Sequence, residues 1–492
     1  MLRKALKLNV FAVASQGSVL VGGILFTLIL TRLLSQTDFG LVSSFISFVV
    51  LITLISDMGL RTTATKYVGG AFFAKDKRLW EYIMQLTVLR FAIVTVMGLA
   101  VTLGAPWIAG FVLKPEYAYV IQFTGITAII YSAMHFFEGL VSAANRYEYT
   151  FLGSVIVNGA RLVLPVAAVL LIAPTAEWTI AGVACGYLMG ALAYIVFFRR
   201  IYGMKLERPQ KAVEKDLRTY ALYSALIAIA TAIFSNVDTL LLNMFHLAPD
   251  KVALYKAAQM VFIGIISLAP ISYMLIFTFF VELEAKGQRR EQAQAYSQAA
   301  KYGLAFFIPV SVMAFVLAGE IISFLYSPPY APSADALRVF AFIPAFYFLL
   351  SMNNNALLAR SEIKNVAVLA LLSGGLSLAL NVVFIPYFGF VGSSLAYAGA
   401  AIIPAFISFW MIGGRLSLGI GWKEIGRPVV VSAVAVLAAL GVKQFVTTNE
   451  VVLLALFPIA CGCAYLLMLD KDDRRVVEAL KGFAGIGNAA GN

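Results

Sequence analysis

The run Phe39–Ser56, FGLVSSFISFVVLITLIS, carries no charge. Runs of this kind recur along all 492 residues. Each reads as a membrane-crossing helix, because about 20 residues rising about 1.5 Å apiece span a ~30 Å hydrocarbon core. About fourteen spans are expected on this criterion. They fall at 9–34, 39–66, 81–104, 118–144, 151–173, 177–198, 219–244, 252–282, 298–318, 336–358, 364–386, 391–413, 427–446 and 449–469. The fold class is therefore all-α and polytopic. Charged residues make up only 13% of the chain, against ~25% in soluble domains.

The net charge of +12 does not signal nucleic acid. The basic residues sit in short loops between apolar runs, without the basic face or stacked aromatic platform that RNA binding requires. Most of the Lys and Arg cluster at the N-terminus and in every second loop, as in Lys75–Arg78, Arg199–Arg218 and Lys471–Lys481. The positive-inside rule then puts both termini in the cytoplasm. The first apolar run is too long for a signal-peptide core and reads as an uncleaved first span. Cys185, Cys461 and Cys463 lie inside apolar runs without the spacing of a zinc site, so they read as packing residues.

A repeat underlies the alternation. APWIAGFVLKPEY (Ala105–Tyr117) matches AGEIISFLYSPPY (Ala318–Tyr330) at an offset of 213, with Ala, Ile, Phe, Pro and Tyr in register. The expected organisation is a first six-helix bundle at 1–198, a basic cytoplasmic linker at 199–218 and a second bundle at 219–413. Two further spans at 427–469 and a cytoplasmic tail at 470–492 follow. Two bundles of six share an orientation and are able to rock about a central site, as in transporters.

Charges inside the spans are the candidate functional residues. Each costs ~2.5–3.5 kcal/mol at the bilayer centre, so it faces a cavity or a partner by default. Arg90 and Arg161 lie near the midplane, while Asp57 and Arg61 stand closer to the cytoplasmic end of the second span. Spacing of four lets Asp57 and Arg61 pair, and spacing of three does the same for His135 with Glu138 and Asn158 with Arg161. At the repeat offset Asp57 meets Pro270, Arg90 meets Gly303 and Glu138 meets Ser351. The first bundle is thus positively lined, and the second carries neutral marks such as Asn353, Asn354, Asn355 and Asn381. Arg61, Arg90 and Arg161 are the candidates for an anionic group, since the planar guanidinium donates two parallel hydrogen bonds to phosphate. Asp57, Glu138 and Asp238 are candidates for ion coupling or gating; a buried carboxylate of this kind takes up a proton or cation, or pairs with an arginine of the other bundle. Asn158 and Asn353–Asn355 are candidates for sugar hydroxyls. No HExxH, GxSxG or P-loop pattern occurs, so neither an enzyme, a metal nor a cofactor is expected.

Four segments resemble a known family. TRLLSQTDFGLVSSF (Thr31–Phe45), SDMGLRTTATKYVG, NVDTLLLNMFHLAPDKVALYKAAQMV and LNVVFIPYFGFVGSSLAYAGA (Leu380–Ala400) are similar, in order, to stretches of polysaccharide-synthesis flippases. That family belongs to the multidrug/oligosaccharidyl-lipid/polysaccharide exporter superfamily. The resemblance implies a flippase that moves undecaprenyl-pyrophosphate-linked oligosaccharide across the cytoplasmic membrane by alternating access, for O-antigen, capsule or exopolysaccharide. It also implies a polysaccharide polymerase and chain-length proteins as partners beside the membrane lipids. A proton- or sodium-coupled exporter of amphipathic small molecules, a lipid II flippase and a non-transporting scaffold are the alternatives. Span 1 lacks the arginine–aspartate pair of the lipid II branch.

Overall fold

The computed structural model describes residues 2–203, 215–267, 286–360, 362–416 and 422–445, with isolated positions 280, 284, 452, 458 and 459. The central part of the expected linker, most of 268–285, the expected span at 449–469 apart from three positions, and the tail at 470–492 lie outside the described residues.

All regular structure among the described residues is helical. The first group comprises α1 (Leu2–Leu33), α2 (Gln36–Asp57), α3 (Leu60–Ala74), α4 (Leu79–Leu103), α5 (Ala105–Val112), α6 (Ala118–Ala143), α7 (Tyr147–Leu171) and α8 (Ala176–Tyr202). The second comprises α9 (Lys215–Met244), α10 (Pro249–Ile266), α11 (Arg289–Val316), α12 (Ala318–Leu325), α13 (Ser333–Phe340), α14 (Ile343–Ala359), α15 (Ile363–Leu416) and α16 (Trp422–Phe445). Among the described residues nine helices are long and apolar enough to cross a membrane, or ten if α13 and α14, bent by 40°, count as one span. Short helix α5 and the 3-10 turn Pro115–Tyr117 recur as α12 and Pro328–Tyr330, every boundary displaced by the same 213 positions.

Two expected spans are not continuous rods. The second breaks after Asp57, where Met58 (φ 43°) and Gly59 (φ 68°) are both left-handed. At Gly59 the backbone of Ser224–Ala225 on α9 leaves no room for a Cβ. Glycine therefore serves both the turn and the close approach. The tenth is the α13–α14 bend. The eleventh and twelfth are the two limbs of α15, folded back on each other at Gly389 (φ 57°, ψ −134°), a conformation that L side chains rarely adopt. The limbs are tied by Ser393 Oγ donating to Asn381 Oδ1 at 2.7 Å, while Asn381 Nδ2 donates to the Ser377 carbonyl at 2.7 Å. Asn381, Pro386 and Gly389 of the family-like segment thus build a hairpin.

Within the first group α6 is central, packing against α2, α3, α4 and α8. The groups meet where α2 lies along α9 and α10, and α1 along α10. At the end where α2 and α10 begin, the contacts are dense. Gln36 Nε2 donates to the Pro329 carbonyl at 2.8 Å, Phe39 meets Tyr330 edge-on at 6.2 Å, and His246 Nδ1 donates to the Leu113 carbonyl at 3.2 Å. Asn243 Nδ2 reaches Ser44 Oγ at 3.0 Å, and Gly40 leaves no space before the Pro249 carbonyl. Each 3-10 turn of the repeat, or the residues just before it, thereby touches the opposite group.

Gly389→Ala is expected to lower the thermal unfolding temperature of the detergent-solubilised protein, with a cost of about 1–3 kcal/mol for a side chain held in that backbone region. Gly375→Ala, where the added methyl meets open space within a helix, is expected to be neutral or mildly stabilising.

A candidate anion site around helix α6

Tyr131, His135 and Glu138 follow one another on α6 at helical spacings of four and three, and so form one stripe. Ser132 and Phe136 form the neighbouring stripe. Arg61 and Arg90 contact this helix directly, and Arg161 is joined to it through Tyr187.

Arg90, from α4, is fully buried and forms an ion pair with Asp57. Its Nε donates to Ser132 Oγ at 3.0 Å, and its guanidinium carbon lies 5.3 Å from the centre of the Phe136 ring. Asp57 ends α2 and also accepts the Arg61 backbone N–H at 3.2 Å, in the first turn of α3. A helix N-terminus leaves such N–H groups without intrahelical partners and carries partial positive charge, so the carboxylate suits both neighbours. One side chain closes the α2–α3 break and ties both helices to α4.

This differs from the pairing expected from spacing. Asp57 and Arg61 do not join side chain to side chain, because the left-handed turn at Met58–Gly59 interrupts the helical register between them. The Arg61 side chain turns to α6 instead. There it meets Glu138 at 3.2 Å and places Nη1 3.0 Å from His135 Nε2. Arg61 remains 32% exposed and Glu138 22%.

Arg161, from α7, is part-buried and lies between two rings, its guanidinium carbon 5.2 Å from the centres of both Phe26 and Tyr187. A planar, weakly hydrated guanidinium favours such a slot. Gly186 lets α8 approach the α7 backbone at this level. No carboxylate among the described residues lies within salt-bridge range of Arg161, and its buried Nε has no acceptor. An unmet buried donor costs ~1–3 kcal/mol. Tyr131 connects this slot to the Arg61 cluster, edge-on to Tyr187 at 4.6 Å and stacked over His135 at 5.8 Å. Asn158 is one turn away on α7, donating to the Ser154 carbonyl at 2.8 Å and packing against Gly22 of α1.

The remaining candidates lie in the second group. Asp238 is fully buried and meets no arginine among the described residues; it accepts from the Tyr255 hydroxyl, from Gln259 Nε2 at 2.8 Å, and from the Thr239 N–H at 2.6 Å and hydroxyl at 3.1 Å. Lys256 joins through the Gln259 amide oxygen at 2.7 Å. Asn353 is also fully buried, accepting from Tyr296 at 2.6 Å and donating to Ser408 at 2.8 Å. Asn354 and Asn355 are part-buried; Asn355 Nδ2 donates to the Ser351 carbonyl at 2.9 Å. Among the described residues no group of three His, Cys, Asp or Glu is placed to hold a metal.

Sequence reading had not singled out Tyr131, Tyr187 or Phe26. For Tyr131 a signal was present, in its helical spacing from His135 and Glu138. For the other two it was not, because they belong to other helices whose rotation the sequence does not show.

An all-helical fold with at least nine long apolar helices among the described residues defines a polytopic membrane protein. The fold resembles a lipid II flippase, MurJ, in an inward closed conformation, with a TM-score of 0.70 at 15% identity over 95% of this chain and 99% of that one. It also resembles an inward-facing multidrug resistance MATE family transporter of the MOP superfamily, with a TM-score of 0.61 at 15% identity over 82% of this chain and 94% of that one. Among sequences, an uncharacterized membrane protein of Methanocaldococcus jannaschii is 21% identical over 87% of both chains. A probable low-salt glycan biosynthesis flippase of Haloferax volcanii is 20% identical over 50% of this chain and 52% of its own. The model of the polysaccharide biosynthesis protein family matches residues 9–284, and the chain belongs to that family.

Substituting either member of the Asp57–Arg90 pair strands the other in the core, and Asp57→Asn or Arg90→Gln is expected to cost about 3–5 kcal/mol. The double substitution is expected to cost clearly less than the sum, measured by thermal unfolding and by protein level in the membrane.

Proposed function

We propose that this protein is a flippase that carries undecaprenyl-pyrophosphate-linked oligosaccharide across the cytoplasmic membrane for surface polysaccharide synthesis. The observation that carries the reading is Arg161, held between two rings beside the Arg61 cluster, with no carboxylate of its own. A cation kept in place by aromatic faces rather than by an acid retains its charge for a diphosphate. Membership of the polysaccharide biosynthesis family and the likeness to a probable glycan biosynthesis flippase of Haloferax volcanii support a glycan-bearing substrate.

In this reading Arg161 and Arg61 meet the diphosphate, and Glu138 holds Arg61 until the anion displaces it. Arg90 aligns α4 and α6 through Asp57. Asn158, Asn354 and Asn355 offer hydrogen bonds to sugar hydroxyls, while Asn353 is committed to Tyr296 and Ser408. The polyprenyl tail stays in lipid. Asp238, bonded entirely by neutral donors, is the ion-coupling candidate; it favours the alternative of an ion-coupled exporter only if transport persists without the arginines. The contacts from Gln36 to Pro329 and from Asn243 to Ser44 close the periplasmic end, and both termini face the cytoplasm.

Complementation of a flippase-deletion strain tests the proposal. Wild type is expected to restore surface polysaccharide, and Arg161→Ala to lose it at normal membrane level with accumulated lipid-linked intermediate. Full activity of Arg161→Ala would remove the anion-cavity mechanism. In a background with Cys185, Cys461 and Cys463 replaced by serine, a Ser44→Cys/Asn243→Cys disulfide is expected to halt transport, and reduction to restore it.

A further inference from the structure

We infer that His135 is a ligand-binding residue of the same site, donating its Nδ1–H to a phosphate oxygen while Arg61 fixes its tautomer. The inference rests on the anion-site reading above. It starts from the 3.0 Å contact between Arg61 Nη1 and His135 Nε2. A guanidinium only donates hydrogen bonds, so Nε2 accepts and the ring is neutral with its proton on Nδ1. That Nδ1 is buried and has no acceptor among the described residues.

Two orphaned N–H donors therefore belong to one connected cluster: His135 Nδ1–H and Arg161 Nε–H. A chain of ring contacts links them, from Arg161 to Tyr187, edge-on to Tyr131, and stacked on to His135. Among the described residues Glu138 is the one carboxylate paired within this cluster, and it is engaged by Arg61. Two orphaned donors beside a net positive charge suit an oxyanion with several acceptor oxygens. A diphosphate offers them, and a cation or an apolar drug does not. His135 so becomes the neutral donor of the site, selecting for anions that accept hydrogen bonds rather than for negative charge alone.

The chain has only two histidines, which makes the test direct. In the full-length protein in nanodiscs, 15N-histidine labelling with His246→Gln leaves one imidazole to observe. Titration with inorganic pyrophosphate is expected to shift the Nδ1–H resonance of the neutral ring in a saturable way. His135→Gln keeps an acceptor near the Nε2 position for Arg61 and lacks the Nδ1 donor. It is expected to weaken pyrophosphate binding about tenfold, the loss of one hydrogen bond to a charged oxygen. His135→Asn, whose amide nitrogen stands near the Nδ1 position, is expected to bind more tightly than His135→Gln. A ring protonated on Nε2, a resonance that does not move on saturation, or wild-type affinity in His135→Gln would overturn the inference. If Arg161→Ala still loses binding in those cases, the anion-site reading stands alone. If the wild type binds no pyrophosphate, both fall together.

Discussion

The carboxylate of Asp57 is the point on which the first helix group depends. It lies where α2 stops, and it satisfies a buried guanidinium from α4 and an N–H at the start of α3 at once. Without an anion there, Arg90 would be a full charge in a low-dielectric interior, and the first turn of α3 would lose its acceptor. With it, α2, α3, α4 and α6 are fixed relative to one another, Ser132 and Phe136 completing the seat. The rest of the cluster follows from that geometry. The Arg61 side chain does not turn back to Asp57; it crosses to His135 and Glu138, where the pair stays partly exposed.

The helical class and the repeat were legible because they depend on local pattern. Runs of apolar residues give spans wherever they occur, and the matched PEY and PPY turns return in the structure at the same offset. The arginines were legible as candidates because charge is costly in lipid. Their partners were not. Pairing Asp57 with Arg61 assumes an uninterrupted helix, and nothing in DMG states that two successive residues turn left-handed there, since glycine alone is compatible with either course. Arg90 finds its acid on a different helix, and Arg161 finds two rings on α1 and α8. Which faces of separate helices meet is set by packing across the group rather than by spacing within one segment. Asn353 shows the same limit from the other side: it reads as a polar mark, yet Tyr296 engages its amide oxygen and Ser408 its amide nitrogen inside the second group.

The two groups handle buried charge differently. In the first, cations are held by carboxylates at one place and by aromatic faces at another, so part of the positive charge stays uncompensated. In the second, the buried carboxylate Asp238 is surrounded by hydroxyl and amide donors, with Lys256 reached only through Gln259. The duplicated scaffold thus holds an arginine between rings in one half and a carboxylate among neutral donors in the other.

The contact between α2 and α9 has a mechanical meaning. Near one end it is marked by the Ser44–Asn243 hydrogen bond, and near the other by Gly59 lying flush on the Ser224–Ala225 backbone. The hydrogen bond is a contact that parts readily, whereas the flush backbone contact is a fulcrum. A tilt of α9 away from α2 at the Ser44 end would bear on the Met58–Gly59 break, next to the carboxylate that anchors α4.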